Sequence, residues 1–251
     1  MAKSSAPAST PAALVKAVRA ELRRNADPTK APAMQVYMKS TMRYHGVTAP
    51  VLRAICREAF ARHSLSSADA WREAVLALWR DARRREERYA AIGLLGWRAY
   101  RPHRTLDTLP MLEEMIVSGA WWDLVDPLAT HRLRELLELH PKPMSRAMRA
   151  WSRDANLWKR RSSILCQVGR KRETDLELLF DCIEPNLADR DFFIRKAIGW
   201  ALRDYAWYDL DTVERWVTEN ESRLSGLSRR EALKNRDQLR ASGGRRARPR
   251  R

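Results

Sequence analysis

Apolar residues recur at intervals of three and four along most of this chain, and that period constrains the fold more than any other feature. It gives an α-helix one apolar face, whereas a half-buried strand needs strict alternation. Clear stripes lie at residues 51–60, 71–79 and 176–183, and no stretch alternates convincingly as a strand. We therefore predict an all-α protein of about 12–14 helices joined by short loops.

Stop signals separate the apolar stripes. Clusters of Pro, Asn, Asp and Ser occur at residues 25–28, 64–67, 140–143 and 184–186. Clusters of this kind are typical of helix ends and turns, so we expect loops at these four places.

Four segments also resemble one another at a nearly constant period of 34–36 residues. The equivalent apolar positions are Ile92, Leu128, Ile164 and Ile198. This period is typical of an α-solenoid built from helix pairs, which curves and presents a concave face. Chance similarity among helices rich in Ala, Leu and Arg is the alternative interpretation.

The charge of the chain indicates a polyanionic partner. It has 48 Lys and Arg against 31 Asp and Glu, a formal net charge of +17. The last dozen residues contribute six arginines and no acid, and without them 42 basic residues still face 31 acidic ones. A basic body favours nucleic acid, and it predicts that the concave groove is basic.

Composition divides the chain into three parts. Residues 1–11 are rich in Ala, Ser and Pro and are expected to form a flexible tail. Residues 12–239 are expected to form a single repeat domain, and 240–251 an Arg-rich disordered tail. No apolar run reaches 18 residues and no signal-peptide core is present, so we expect no membrane partner.

Metal and cofactor chemistry finds no support in the sequence. Cys56, Cys166 and Cys182 are far apart in apolar segments, so we interpret them as buried thiols of a cytosolic protein. The five His are scattered without metal-ligand spacing, and there is no P-loop, Gly-rich nucleotide motif, HExxH or GxSxG. We expect neither a metal nor a nucleotide cofactor.

The most informative stretch places two tryptophans and two carboxylates at residues 121–126. Trp122 and Asp126 are four residues apart and would share one face of a helix. In the repeat register, Arg161 and Trp200 point toward the same side. A carboxylate beside aromatic faces on a basic protein suits a reaction that develops positive charge on a nucleic acid.

Structural interpretations compete with this one. Asp126 followed by Pro127 is a good N-cap and first-turn pair. If a helix instead runs through Pro127, its bond to residue 123 is missing and the helix bends. Among the ten tryptophans, Trp97, Trp158 and Trp216 are interpreted as core, and Trp121 is left open.

Five segments in order give the chain a family resemblance. They are Tyr37-Met38-Lys39, WWDLVD at 121–126, NLWKRR at 156–161, DFFIRKAIGWALRDY at 191–205 and LSRREALK at 227–234. The chain resembles the AlkD-type DNA alkylation repair proteins, which are HEAT-like-repeat DNA glycosylases. The resemblance implies a concave HEAT-like solenoid that holds duplex DNA and excises cationic N3- and N7-alkylated purines without flipping the base.

The resemblance also implies roles for particular residues. Asp126 matches the catalytic aspartate, Trp122 and Trp200 match the two cleft tryptophans, and Arg161 matches an arginine that contacts a DNA phosphate. Tyr37 is expected to face the cleft by the same pattern. Further backbone contacts are expected from Lys39, Arg195, Lys196 and Arg203.

The expected function is therefore a monofunctional glycosylase that leaves an abasic site, because no lysine stands out as a Schiff-base nucleophile. We expect a monomer whose partner is duplex DNA containing alkylated purines, in a bacterial cytoplasm and associated with the nucleoid. Two alternatives stay open. One is a non-catalytic binder of damaged or branched DNA on the same scaffold, and the other is a protein-binding adaptor.

Overall fold

A computed structural model describes residues 9–241, and this part of the chain is helical throughout, with no β-strand. The all-α prediction is confirmed. Most of the two predicted tails lies outside the described residues, although Pro11 already belongs to the first helix and Arg240 to the last. None of the helices within 9–241 combines the length and apolarity that crossing a membrane requires.

The chain divides into two compact units, and the first ends at Met111. The α-helices of this unit are α1 (Pro11–Arg24), α2 (Ala31–Tyr37), α3 (Ala49–Arg62), α4 (Ala68–Arg80) and α5 (Arg85–Leu95). Short 3-10 turns at Arg98–His103 and Leu106–Thr108 follow them.

The second unit begins at Leu112, within the first turn of α6 (Leu109–Gly119). Its further helices are α7 (Trp122–Pro127), α8 (Arg134–Leu139), α9 (Pro141–Trp151), α10 (Leu157–Leu165), α11 (Leu176–Ile183), α12 (Phe192–Ala206), α13 (Leu210–Glu219), α14 (Gly226–Ala232) and α15 (Arg236–Ala241). A π-helical segment, Leu128–Leu133, joins α7 to α8, and 3-10 turns lie at Lys171–Glu173 and Glu184–Asn186.

Local sequence signals explain most of the helix boundaries. Ser67 and Asn156 cap α4 and α10 by accepting hydrogen bonds from backbone N–H groups of the first turn. The stop signals at 25–28 and 64–67 lie between helices, as expected. The expectation of a loop at 140–143 was wrong, because Pro141 and Pro143 occupy the first turn of α9, where the missing N–H of proline has no helical partner to lose.

The core of the first unit lies between α1, α3, α4 and α5, which contact one another. The predicted stripe on α4 is buried in full: Trp71, Val75, Leu78 and Trp79 are at most 1% exposed. The Trp71 indole N–H donates a hydrogen bond to the backbone oxygen of Leu94 at 3.2 Å, which satisfies the one polar group of that side chain.

In the second unit, helices that are separated by other helices along the chain pack on one another in a series. The segment formed by α7 and the π-helix contacts α10, α10 contacts α12, and α12 contacts α14. Helices α9 and α11 contact each other in the same manner and also pack against α10. Helices α10 and α12 therefore each lie between two neighbours of the same series.

The repeat register agrees with this packing in the second unit. Leu128, Ile164 and Ile198 are fully buried, as expected for equivalent apolar positions. Ile92, which belongs to the first unit, is only half-buried and does not match them. The solenoid, its curvature and its basic groove stay predictions. The three cysteines are buried free thiols, and burial raises the pKa of Cys56 to about 12.

Close approach of α12 to α14 depends on Gly199. A Cβ atom at this position would lie 2.4 Å from the Cβ of Glu231 and 2.9 Å from the backbone oxygen of Ser228. Both distances are too short for contact, and the second involves backbone that cannot rotate away. The absence of a side chain at Gly199 thus permits the close packing of α14 on the middle of α12.

We predict that Gly199→Ala lowers the free energy of unfolding by about 1–3 kcal/mol, because the methyl group forces α14 away from α12. Urea denaturation measures the change. Gly93→Ala is the matched control, since its Cβ would make ordinary contacts with Phe60 and Cys56 at 3.7 and 3.9 Å. It should be neutral or stabilising by up to about 1 kcal/mol. Equal effects of the two substitutions would contradict the packing argument.

Candidate active site

Helix α7 begins at Trp122 and carries Asp126 in its second turn. Trp121 is the N-cap residue, with an extended backbone, and its oxygen accepts hydrogen bonds from the N–H groups of Leu124 and Val125. Asp126 therefore lies inside the helix and does not cap it. The helix runs through Pro127, which settles the two geometries that the sequence allowed.

The helix widens into a π-helix directly after Pro127. Proline has no N–H to donate, so the ordinary bond toward residue 123 is missing, and the following residues, Leu128–Leu133, form the π-helical segment. The hydroxyl of Thr130 donates a hydrogen bond to the backbone oxygen of Asp126 at 2.8 Å. The backbone that carries Asp126 is thus held although its regular pattern is interrupted.

Asp126 forms a two-pronged ion pair with Arg161 of α10. The Nε and Nη2 groups of Arg161 donate to the two carboxylate oxygens at 2.8 and 2.9 Å. Only 13% of the Asp126 side chain and 6% of the Arg161 side chain are exposed. Two parallel hydrogen bonds between ionised groups are strong and fix both groups in one plane.

Arg161 also reaches a third helix. Its Nη1 group donates to the backbone oxygen of Phe193 in the first turn of α12. The centre of its guanidinium lies 5.8 Å from the centroid of the Phe193 ring. A single buried arginine therefore connects α7, α10 and α12.

An aromatic cluster surrounds the starts of these three helices. The Phe193 ring lies 5.2 Å from Trp121, edge to face, and 5.0 Å from Trp158, and the two tryptophans lie 6.2 Å apart. Trp158 is buried, as expected for a core residue. Trp121, which the sequence left open, belongs to this cluster. The cluster makes the surroundings of the ion pair apolar, so water competes weakly with it.

Burial and pairing act against each other on Asp126. Burial raises the pKa of its carboxyl group above the ordinary value of 3.8, and the hydrogen bonds and charge of Arg161 lower that pKa without cancelling the effect of burial. Asp123 adds to the increase through its like charge. The pKa of Asp126 is therefore raised by its apolar surroundings, and the pairing with Arg161 limits this increase.

The two tryptophans that the resemblance places in a cleft, Trp122 and Trp200, differ in exposure. Trp122 is 37% exposed at the first turn of α7, one turn before Asp126. Trp200 is half-buried in α12, next to Gly199. Part of the Trp122 side chain is therefore accessible to a ligand, whereas Trp200 is more enclosed.

The structure changes the interpretation of several basic residues. Arg161 was expected to meet a phosphate, but its guanidinium is buried and engaged by Asp126 and Phe193. Lys196 and Arg203 both pair with Glu231 of α14, the former at 2.8 Å. Lys196 is one third exposed and Arg203 about one quarter, so part of each cation still faces solvent.

The remaining expected DNA contacts lie at the surface to different degrees. Arg195 donates to the backbone oxygen of Asp189 at 3.0 Å and is half-buried. Tyr37 is 77% exposed at the end of α2, and Lys39 follows it with a positive φ of 48°. Tyr37 and Lys39 belong to the first unit, and the other candidate residues to the second.

Sequence reasoning missed Phe193. The repeat register contained a signal for it, because Trp122, Trp158 and Phe192 each lie six residues before an equivalent buried position, and Trp121 and Phe193 adjoin this set. An aromatic residue in the first turn of the equivalent helix of three successive repeats indicates a shared cluster. The backbone hydrogen bond from Arg161 had no such signal, since it depends on two helices 32 residues apart in sequence.

The fold and the site define an all-helical protein with an ion-paired, largely buried aspartate beside an exposed tryptophan. The family described as DNA alkylation repair enzyme matches residues 18–235, and the chain belongs to this family. It is similar to a solved structure described as a predicted DNA alkylation repair enzyme from Enterococcus faecalis. The two share 27% identity with a TM-score of 0.69, over 84% of this chain and 96% of the other. Comparison with curated proteins finds no match.

We predict that Arg161→Met raises the pKa of Asp126 further, because burial remains and the pairing is lost. In the folded state the carboxyl group then holds its proton to higher pH than in the unfolded chain, so stability is lost as pH rises from 3.8 through the folded pKa. The stability gap between wild type and variant, measured by urea denaturation, should therefore grow with rising pH and then level off.

Arg160→Met is the matched control for this experiment. Arg160 is the preceding residue on α10 and pairs with Asp189, at 3.0 Å, instead of Asp126. Its removal should not raise the Asp126 titration midpoint in a carboxyl carbon NMR experiment. The same upward shift in both variants would show that the pair with Arg161 does not control the Asp126 carboxylate.

Proposed function

We propose that the protein is a DNA glycosylase that excises positively charged N3- and N7-alkylated purines from duplex DNA. It hydrolyses the N-glycosidic bond without flipping the base and leaves an abasic site. The observation that supports this most is the paired Asp126 carboxylate one helical turn after an exposed Trp122, in a basic chain of a DNA alkylation repair family. The proposed form is a monomer that acts on bacterial DNA in the cytoplasm.

The chemistry needs negative charge close to the sugar. Alkylation at N3 or N7 makes the purine cationic and a better leaving group. Breaking the glycosidic bond moves the positive charge to the sugar, as in an oxocarbenium-like transition state. Asp126 would stabilise this charge through its carboxylate and would orient the water that attacks the sugar.

The ion pair supports this role by holding the carboxylate ionised and fixed. Each Asp126 oxygen accepts one hydrogen bond from Arg161 and keeps further lone-pair capacity for a water molecule. Without Arg161, burial alone would favour the protonated acid, which cannot stabilise a cation. A fixed carboxylate also needs no reorganisation when the charge develops.

The tryptophans would hold the substrate beside this carboxylate. An aromatic face attracts a cation by about 0.5–2 kcal/mol, depending on how much water is excluded. The exposed ring of Trp122 is available to the deoxyribose and the phosphate backbone at the lesion, and Trp200 would act with it. This mode leaves the lesion in the duplex, which agrees with excision without base flipping.

The lysines near the site do not favour a lyase step. A Schiff base needs a neutral amine. Burial lowers the pKa of Lys159 on α10, but its pairing with Asp154 and Glu113 outweighs burial and leaves the pKa above the ordinary value. Lys196 on α12 pairs with Glu231. A monofunctional reaction is therefore proposed, without a metal or nucleotide cofactor.

We predict that Asp126→Asn slows excision of N7-methylguanine from duplex DNA by about 10²–10³-fold, because the amide keeps the shape and loses the charge. Alkali cleavage of abasic sites, followed by measurement of strand breaks, gives the rate. Asp211→Asn, which neutralises an exposed aspartate at the start of α13, is the control and should keep the wild-type rate.

The same assay separates the alternative functions. No strand breaks with wild-type protein, together with tight and salt-dependent DNA binding, would sink the glycosylase proposal and favour a non-catalytic binder. Neither breaks nor DNA binding would point to a protein-binding adaptor. Borohydride trapping of a protein–DNA adduct would contradict the monofunctional reaction.

We predict that Trp122→Ala slows excision by about 2- to 30-fold while the protein stays folded, the range that corresponds to the energy of a cation–aromatic contact. The matched control is Trp207→Ala, since Trp207 is 40% exposed and Trp122 37%. Single-turnover kinetics on the same duplex measure both. A rate loss shared by the two variants would remove Trp122 from the site.

A further inference from the structure

Four arginines line a cavity of about 730 Å³ that is formed entirely by the first unit. They come from the C-terminal half of α1, from the turn after α4 and from the start of α5. The cavity residues on which its charge depends are Arg19, Arg23, Arg83, Arg84, Asp81 and Glu87. This cavity shares no residue with the Asp126 site.

Part of this charge is structural. Arg19 donates to Glu87 at 2.7 Å and to the backbone oxygens of Ala77 and Asp81. Glu87 also accepts the backbone N–H groups of Arg83 and Arg84, which caps α5. The Arg19–Glu87 pair therefore holds the cavity wall together and contributes no net charge to a ligand.

The other charges are not balanced. Arg23, Arg83 and Arg84 face the cavity together with a single carboxylate, Asp81. Within residues 9–241, no ion pair engages the guanidinium of Arg23 or Arg83. The excess of two positive charges predicts an anionic ligand, and the planar guanidinium matches phosphate geometry better than any other side chain.

The cavity wall is firmly anchored. The loop that contributes His45 donates the backbone N–H groups of His45, Gly46 and Val47 to the buried Glu86 carboxylate at 2.9–3.1 Å. Burial lowers the pKa of His45, so the positive charge of the cavity comes from its arginines. The loop that contributes His45 is thus held against α5, whose N-cap residue is Arg84.

A second cavity adjoins the first. Its volume is about 520 Å³, and it shares His45 and Arg84 with the larger one while adding Arg43. Arg84 consequently lies between two basic cavities. A chain of linked phosphates can occupy both, whereas one free phosphate would fill only a small part of either.

We propose that these cavities bind phosphates of the DNA backbone and anchor the duplex on the first unit. The inference rests on the proposed action on DNA, because the family supplies the reason to choose DNA as the source of phosphate. The same chemistry would also recognise a free nucleotide. Separate binding experiments with duplex DNA and with a nucleotide distinguish these two sources.

The test is binding of an undamaged duplex to the full chain, followed by fluorescence anisotropy over a range of salt concentrations. Arg23→Gln combined with Arg83→Gln should weaken binding about tenfold or more and lower the salt slope by about 1.8, or 0.9 for each lost contact. The control is Arg24→Gln with Arg62→Gln, which removes the same charge from exposed arginines on α1 and α3. Equal losses in both double variants would overturn the proposal, since net charge alone would then explain them.

Calorimetric titration with a nucleoside monophosphate forms the second arm. Nucleotide binding that the cavity variant loses, with duplex binding unchanged, would overturn the assignment to the DNA backbone. Because undamaged DNA is used and excision is not measured, failure of the glycosylase proposal leaves this result interpretable. Thermal unfolding of both double variants confirms that they are folded.

Discussion

The pairing of Asp126 with Arg161 is the interaction on which the site depends. A carboxylate that is 13% exposed among aromatic rings is unfavourable unless its charge is met at close range. Arg161 donates two hydrogen bonds to this carboxylate and a third to the backbone oxygen of Phe193 in the first turn of α12. The electrostatic requirement of one side chain thereby fixes the relative positions of three helices, and the aromatic cluster at their starts keeps the pair dry.

The helical fold was predictable because it depends on local period and on stop signals. The buried stripe of α4 and the equivalent positions Leu128, Ile164 and Ile198 followed from spacing alone. The partner of Arg161 could not be predicted in this way. The family resemblance selected Arg161, whereas its burial and its pairing depend on contacts between helices that are far apart in sequence.

The basic character of the chain is weaker at particular places than its formal charge indicates. Lys196 and Arg203 share the carboxylate of Glu231, and Arg161 is fully engaged inside the protein. Counting arginines therefore locates a nucleic-acid surface poorly. Such a surface is better located by cations that no nearby carboxylate neutralises. The sequence motifs do not identify these cations.

The π-helical segment after Pro127 has a geometric consequence for the whole site. A π-turn accommodates one residue more than an α-turn, and one residue corresponds to a rotation of about 100° about the helix axis. If residues 128–133 were one residue shorter and formed ordinary α-helix, α7 and α8 would be rotated relative to each other by about that angle. The extra residue therefore lets Leu136 and Leu137 of α8 be buried while Asp126 of α7 faces Arg161, although α7 and α8 belong to one continuous helix.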